Sequence, residues 1–248
     1  MTQTPLVTVA VPSYNYGRYL DNALDSIFSQ DVPVEVFVAD AGSSDDTLQV
    51  IRRWESRLAG WRSHADAGQS AAINESIARG SAPYVCWLNC DDWLLPGGIT
   101  KLLASLQGHP EAPMAYGRVW NHDERTGRNH RNYEVWPFSE WLLAQFCIVS
   151  QPGTLIRRSA WEAVGGVDEQ LHMAMDYDLW WKLFRSFGPP PFVDQHVAVN
   201  RKHSETKTNT WRAAHYREAM AIVRKHYGRV PLKWWLAQPY AVWYRSRR

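Results

Sequence analysis

Short apolar runs alternate with segments of helical period along the first hundred residues. "LVTVAVP" (6–12) is β-branched and stops at the turn-forming "SYNYG", the pattern of a buried strand. From Tyr19 to Gln30 the apolar positions Leu20, Ala23, Leu24, Ile27 and Phe28 follow helical spacing. "VEVFVAD" (34–40) predicts a second strand. In the polar "AGSSDDT" that follows, Asp45 or Ser44 can cap a helix running through Leu48, Ile51 and Trp54. "GWRSHAD" (60–66) reads as a short third strand and "GQSAAINESIARG" as a helix closed by Gly80. "YVCWLNCDDWLLPGG" (84–98) opens as a fourth strand and runs into two adjacent acids. This alternation predicts an α/β fold with a mostly parallel sheet and helices on both faces.

Beyond Lys101 the rhythm changes. Residues 114–136 predict two strands around an Asp-Glu-Arg-Thr-Gly turn, and "FSEWLLAQF" predicts a helix. "GTLIRR" is a strand leading into the helix "SAWEAVGG". "DYDLWWKLFRSF" is a further helix with Leu179, Leu183 and Phe184 on one side. The tail from Trp211 is helical in pattern and rich in Trp, Tyr and Arg. Two halves of one compact domain are expected, 1–117 and 118–205, followed by a C-terminal helical extension over 206–248.

Composition narrows the function classes. With 45% hydrophobic and 21% charged residues, the chain is ordinary globular protein rather than disordered. A net charge of +2 gives no reason to expect nucleic acid as a partner. The cysteines, Cys86, Cys90 and Cys147, form no CxxC pair. On one strand Cys86 and Cys90 would lie roughly 13 Å apart, too far for a disulfide, so a reduced, cytosolic protein is expected. No signal peptide and no apolar run of membrane-spanning length is visible.

Candidate chemistry gathers at the strand ends. In a parallel sheet, ligands bind in the crevice beyond the carboxyl ends of the strands. Those ends carry Ser13-Tyr14-Asn15, Asp40, Asp66 and Asn89 to Asp92. Each alone is an ordinary turn or cap residue; four ends meeting in one crevice predict a site. The phosphate-binding glycine patterns GxGxxG and GxxxxGK[ST] are absent. Strand alternation would put Asn89 and Asp91 on one face, with Cys90 and Asp92 on the other. Oxygen ligands of this kind suit Mg2+ or Mn2+. Glu35 and Glu75 read as surface residues.

In order along the chain, these segments resemble glycosyltransferase family 2, whose fold is the GT-A type with a Rossmann-like sheet. "VTVAVPSYNYGRYLDNALDSIFSQ" is similar to the family's opening strand and helix. "VEVFVADAGSSDDT" resembles its base-binding strand, and "DAGQSAAINESIARGSAPYVCWLNCDDWLLPGG" the stretch ending in its Asp-x-Asp metal motif. "GGVDEQLHMAMDYDLWWKLF" resembles the segment holding the catalytic base, and "NRKHSETKT" a late loop that closes over the diphosphate. The resemblance implies an inverting transfer of a sugar from a nucleotide-diphosphate donor to a glycan or lipid-linked acceptor. Asp176 would be the base, and Pro12, Tyr14, Asn15, Asp40, Asp66, Gln69 and Asn89 would hold the donor. Asp91, Asp92 and His203, with Lys207 nearby, would hold a divalent cation (Mn2+ or Mg2+) and the diphosphate. Residues 1–117 become the donor half and 118–205 the acceptor half, with Trp180 or Trp181 facing the acceptor. Bacterial surface polysaccharide, lipopolysaccharide or lipid-linked glycan synthesis is the implied setting.

The chain departs from the family pattern twice. Asn89 stands where Asp is usual, and Met175 precedes Asp176 where an acid is common. Two rivals share the sheet type. A sugar-1-phosphate nucleotidyltransferase would need a Gly-rich basic loop after the first strand, which "PSYNYGRYL" does not supply. A non-catalytic nucleotide-sugar or glycan binding module would release no free nucleoside diphosphate. In the tail, Trp234, Trp235, Trp243 and Tyr244 lie among Lys233, Arg245, Arg247 and Arg248, a composition that suits either a helix packed on the domain or on a second protomer, or peripheral contact with the inner face of a membrane.

Overall fold

The computed structural model describes residues 4–203 and 211–238. Lys207 and the basic aromatic end, Trp243 to Arg248, lie outside them.

Strands β1 (Val7–Ser13), β2 (Val34–Asp40), β3 (Gly60–Ser63) and β4 (Tyr84–Trp87) alternate with helices α1 (Gly17–Phe28), α2 (Thr47–Trp54) and α3 (Gln69–Arg79). They pair in parallel in the order β3-β2-β1-β4. All seven residues of β1 are buried, because both faces of the sheet are covered. Val7, Val9 and Val11 pack with α1 and α2, while Ala10, Val85 and Trp87 face the core that holds α3. Each such Val, fully buried, contributes roughly 1.5–3 kcal/mol.

The second half makes the sheet mixed rather than parallel throughout. Its elements are β5 (Trp93–Leu94), α4 (Gly98–Gln107), β6 (Met114–Asp123), β7 (Arg128–Arg131), α5 (Glu140–Gln145), β8 (Thr154–Arg157), α6 (Arg158–Ala163), α7 (Met175–Phe187) and β9 (Phe192–Lys202). β8 runs antiparallel to β4 and to β6, and β6 runs parallel to β9. The nine strands form one continuous sheet. After β9 come α8 (Arg212–Tyr227) and α9 (Leu232–Gln238).

Several expectations are corrected. The third strand stops at Ser63 rather than at residue 66. β4 ends at Trp87, and Asn89 to Asp92 form a turn closed by the Asp92 N–H on the Asn89 carbonyl at 3.1 Å, so strand alternation does not govern them. "NRK" of the late loop is the end of β9, a strand whose polar Asp194-Gln195-His196 hides its period beside register shifts at Gly117 to Val119. Glu35 is no simple surface residue: one carboxylate oxygen accepts from Thr8 Oγ1 (2.6 Å) and from the Ser81 and Ala82 N–H groups. Neither Trp180 nor Trp181 faces a cleft. Trp180 stacks on Trp87 with centroids 5.9 Å apart, and Trp181 stacks on His226 at 5.9 Å. Both indoles are buried because α7 lies between the sheet and α8.

Asp178, buried in α7, fastens α7 to α8. It accepts from His226 Nε2 at 2.8 Å and Lys225 Nζ at 3.1 Å, with Lys182 Nζ at 3.7 Å. Burial alone would raise its pKa, but these donors and cations overcome it and bring the pKa down to about 2. Its contribution is therefore present above the ordinary carboxylate pKa of ~3.9 and is lost as the pH falls toward about 2. Asp178→Ala removes hydrogen bonds to a charged acceptor and is expected to cost about 2 kcal/mol at neutral pH. Urea unfolding of the variant beside the parent measures this.

Candidate active site

An open cleft of ≈ 1330 Å³ lies at the carboxyl ends of the parallel strands. Its near wall comes from the ends of β1 and β2, the β3–α3 loop and the turn after β4. Its far wall comes from residues 132–135, 147–152 and 172–176 and from the start of α8. Pro12, Tyr14, Asp66, Gln69, Asn89, Asp91, Asp92 and Asp176, from four separate segments, all border it.

Two of the predicted donor contacts are turned elsewhere. Asp40 is fully buried; its carboxylate accepts from the Gly42 and Ser43 N–H groups (3.1 and 2.9 Å), Ser63 Oγ (2.6 Å) and Ser43 Oγ. It therefore shapes the loop after β2, and its neighbours Ala39 and Ala41 line the cleft instead. Asn15, at φ 55°, accepts from the Ser44 N–H (2.8 Å) and donates its own N–H to Ser43 Oγ (2.7 Å), bracing the same loop. A carboxylate with four donors has little capacity left for a ligand.

A chain of amides crosses the floor. Gln69 Nε2 donates to Asn89 Oδ1 at 2.8 Å, Asn89 Nδ2 to Gln151 Oε1 at 3.4 Å, and Gln151 Nε2 to the Trp87 carbonyl at 2.7 Å. Gln151 was not singled out from the sequence; no motif surrounds it. Asp66 accepts from the Gly68 N–H at 2.8 Å and pairs with Arg62 at 2.9 Å, which holds the α3 entry against β3.

The adjacent acids have separate environments. Asp92 is buried, accepts the Arg201 N–H at 3.0 Å, and has its pKa pushed well up, first by burial and then by the charge of Asp91. That position makes it a structural acceptor from β9 rather than the predicted metal ligand. Asp91 keeps 14% of its side chain exposed and meets His203 Nε2 at 3.0 Å. Arg201 fixes the turn from behind: its Nε donates to the Asp91 carbonyl at 2.9 Å, and its guanidinium lies 4.7 Å from the ring centroids of both Tyr19 and Trp93. Among the described residues no three His, Cys, Asp or Glu side chains converge. The pair nevertheless fits a divalent cation, since 3.0 Å is the spacing of neighbouring ligands on an octahedral ion with bonds of ~2.1 Å.

Across the cleft, Asp176 stands in the first turn of α7, its carboxylate accepting the Tyr177 N–H at 2.8 Å. Burial raises its pKa, and the Tyr177 N–H and the nearby His215 only partly oppose this. Trp211, His215 and Tyr216 of the α8 region border the same end of the cleft. These residues replace Trp180 and Trp181 as the aromatic surface there.

A mixed sheet with a polar cleft at the carboxyl ends of its parallel half is the GT-A fold of glycosyltransferases. Solved structures agree. Staphylococcus aureus TarS 1–349 in complex with UDP-GlcNAc superposes with a TM-score of 0.72 at 18% identity, covering 89% of this chain and 66% of that one. The mannosyltransferase PcManGT of Pyrobaculum calidifontis, in complex with GDP-Man and Mn2+, gives 0.69 at 19% identity, covering 98% and 72%. The chain belongs to glycosyl transferase family 2, whose model matches residues 8–165. It is 26% identical over 204 residues to the chondroitin synthase of Escherichia coli and 28% identical over 189 residues to the hyaluronan synthase of Pasteurella multocida. Those alignments cover 81% and 74% of this chain but only 29% and 19% of the synthases. An uncharacterized glycosyltransferase of Rickettsia prowazekii is 25% identical over 84% of this chain and 67% of its own length.

Asp176 has a stability consequence. Because its folded pKa is raised, its contribution is full below the ordinary carboxylate pKa and is lost as the pH rises through the raised value. At neutral pH the ionised group is a burden on the fold. Asp176→Asn is therefore expected to raise Tm at pH 7.5 and to change it little at pH 4, read by calorimetry at both values.

Proposed function

We propose that this chain is an inverting glycosyltransferase that moves a sugar from a nucleoside-diphosphate donor to an acceptor hydroxyl. The observation that carries this reading is that Asp91 and Asp176, from opposite halves of the sheet, border one cleft. The donor would lie along the near wall, its base beside Ala39, Ala41 and Ala65 and its ribose on the Gln69–Asn89 amides. Its diphosphate would reach Asp91 and Lys202, which also borders the cleft.

Asp91 and His203 would hold a divalent cation, which when bound supplies positive charge against the diphosphate. Asp176 would take the acceptor hydroxyl proton as that oxygen attacks the anomeric carbon on the face opposite the departing diphosphate. The carbon–oxygen bond to the acceptor forms, the bond to the diphosphate breaks, and the configuration inverts. Its raised pKa makes Asp176 a stronger base than an exposed carboxylate. A glycan acceptor for surface polysaccharide or lipid-linked glycan assembly draws support from the chondroitin and hyaluronan synthases among the relatives. No helix among the described residues is long and apolar enough to cross a membrane. Peripheral contact at a membrane draws support from α9, where Leu232, Trp235 and Leu236 are exposed while Trp234 is buried.

Removing the base is expected to lower turnover by ~10²–10⁴ in Asp176→Asn while nucleoside diphosphate still binds. Release of free nucleoside diphosphate from donor and acceptor measures it, and near-parental turnover would sink the assignment. Mn2+ should bind the empty chain weakly and bind more tightly with nucleoside diphosphate present, because Asp91 and His203 leave most of the coordination shell to phosphate and water. Isothermal titration in both conditions checks this. Loss of the enhancement in Asp91→Ala, with Asp92→Asn retaining it, is the expected pattern.

A further inference from the structure

The carboxylate of Glu218, on α8, receives three consecutive backbone N–H groups. Its Oε1 accepts from His172 at 3.2 Å, and its Oε2 from Met173 at 2.8 Å and Ala174 at 3.0 Å. Ala174 is the N-cap of α7, and Asp176 follows two positions later. His172, Met173 and Asp176 all border the cleft. An approach segment of this kind has no strand or helix partner for its amides, so without an acceptor they would turn to water. A carboxylate is the strongest acceptor the chain can offer, and it also matches the positive end of the α7 dipole.

Resting on the reading of Asp176 as base, we infer that Glu218 is a positioning residue for it. Glu218 fixes the backbone of residues 172–174 and thereby sets where the Asp176 carboxylate stands in the cleft and how well it is shielded from water. The clamp comes from a helix that lies beyond the family-matched residues 8–165. The same helix places His215, one turn before Glu218, against the same end of the cleft. A second α7–α8 link, the buried Asp178 with Lys225 and His226, lies away from the cleft and does not touch the segment before Asp176. Packing of the two helices is thus separable from orientation of the base.

Glu218→Gln is nearly isosteric and keeps one accepting oxygen, but presents an amide NH2 where the second oxygen stood. It is expected to lower kcat about tenfold or more, with nucleoside diphosphate affinity unchanged within about twofold. Water entering around Asp176 brings its pKa down toward the ordinary range, so the acid limb of the kcat–pH profile moves to lower pH. Amide hydrogen exchange at residues 172–174 should quicken in the same variant. Asp178→Asn, the packing control, is expected to lower Tm while holding kcat within about twofold. Parental kcat in Glu218→Gln, or kcat losses in both variants that merely follow Tm, would overturn the inference. Should Asp176→Asn keep its turnover, the base assignment itself fails. An inactive Asp176→Asn beside a fully active Glu218→Gln removes only the clamp.

Discussion

The near wall of the cleft depends on a buried carboxylate meeting the strand beside it. Asp92 has almost no contact with solvent, and a carboxyl group in that position costs several kcal/mol unless it is hydrogen-bonded or protonated. It receives the Arg201 N–H, which locks the turn after β4 to β9. Once that register is set, Arg201 reaches the Asp91 carbonyl and His203 arrives 3.0 Å from the Asp91 carboxylate. One chain segment from each half of the sheet is thereby brought to a single point, which neither could reach by its own local structure.

Asp92 and Asp176 have the same electrostatic signature, a pKa raised chiefly by burial, and play different parts. Asp92 is pinned by β9 beside a second acid, so its burial is spent on holding the turn. Asp176 stands at a helix start with a single backbone donor from its own helix, on a wall of the cleft. A raised pKa on its own therefore does not identify a base here, since both acids border the cleft and differ in what holds them. Asp40 makes the complementary point, since four donors leave it little capacity to serve a ligand.

Local pattern carried the parallel half of the fold well. β1, β2 and the first three helices are legible because their apolar positions keep one period from end to end and punctuation residues close them. The helix α4 has the same kind of pattern, since Ile99, Leu102, Leu103 and Leu106 share one face, but it follows a Pro-Gly-Gly turn where the strand–helix alternation ends. β9 was not legible: its apolar period is interrupted where polar residues sit at a bulge against β6. Of the site, Asp91, Asn89, Gln69 and Asp176 stood out through the family motifs and do border the cleft. Asp40, Asn15 and Asp92 stood out equally, and only tertiary partners reveal that they are occupied elsewhere. Gln151 and Glu218 carry no sequence signal, because what defines each is a backbone or amide partner dozens of residues away.

The neutral residue at position 89 is best understood with those amides. A carboxylate there would stand near Asp91 and Asp92, and three acids in one turn would repel one another at low dielectric. Asn89 instead accepts from Gln69 and donates to Gln151, so the floor is held in place by groups without net charge. Asp91 is then left as the partly exposed acid of the turn, bordering the same cleft as Lys202. Under the proposed function, such a floor would repel a donor diphosphate less than a pair of carboxylates would, and would leave most of a cation's ligands to the donor itself.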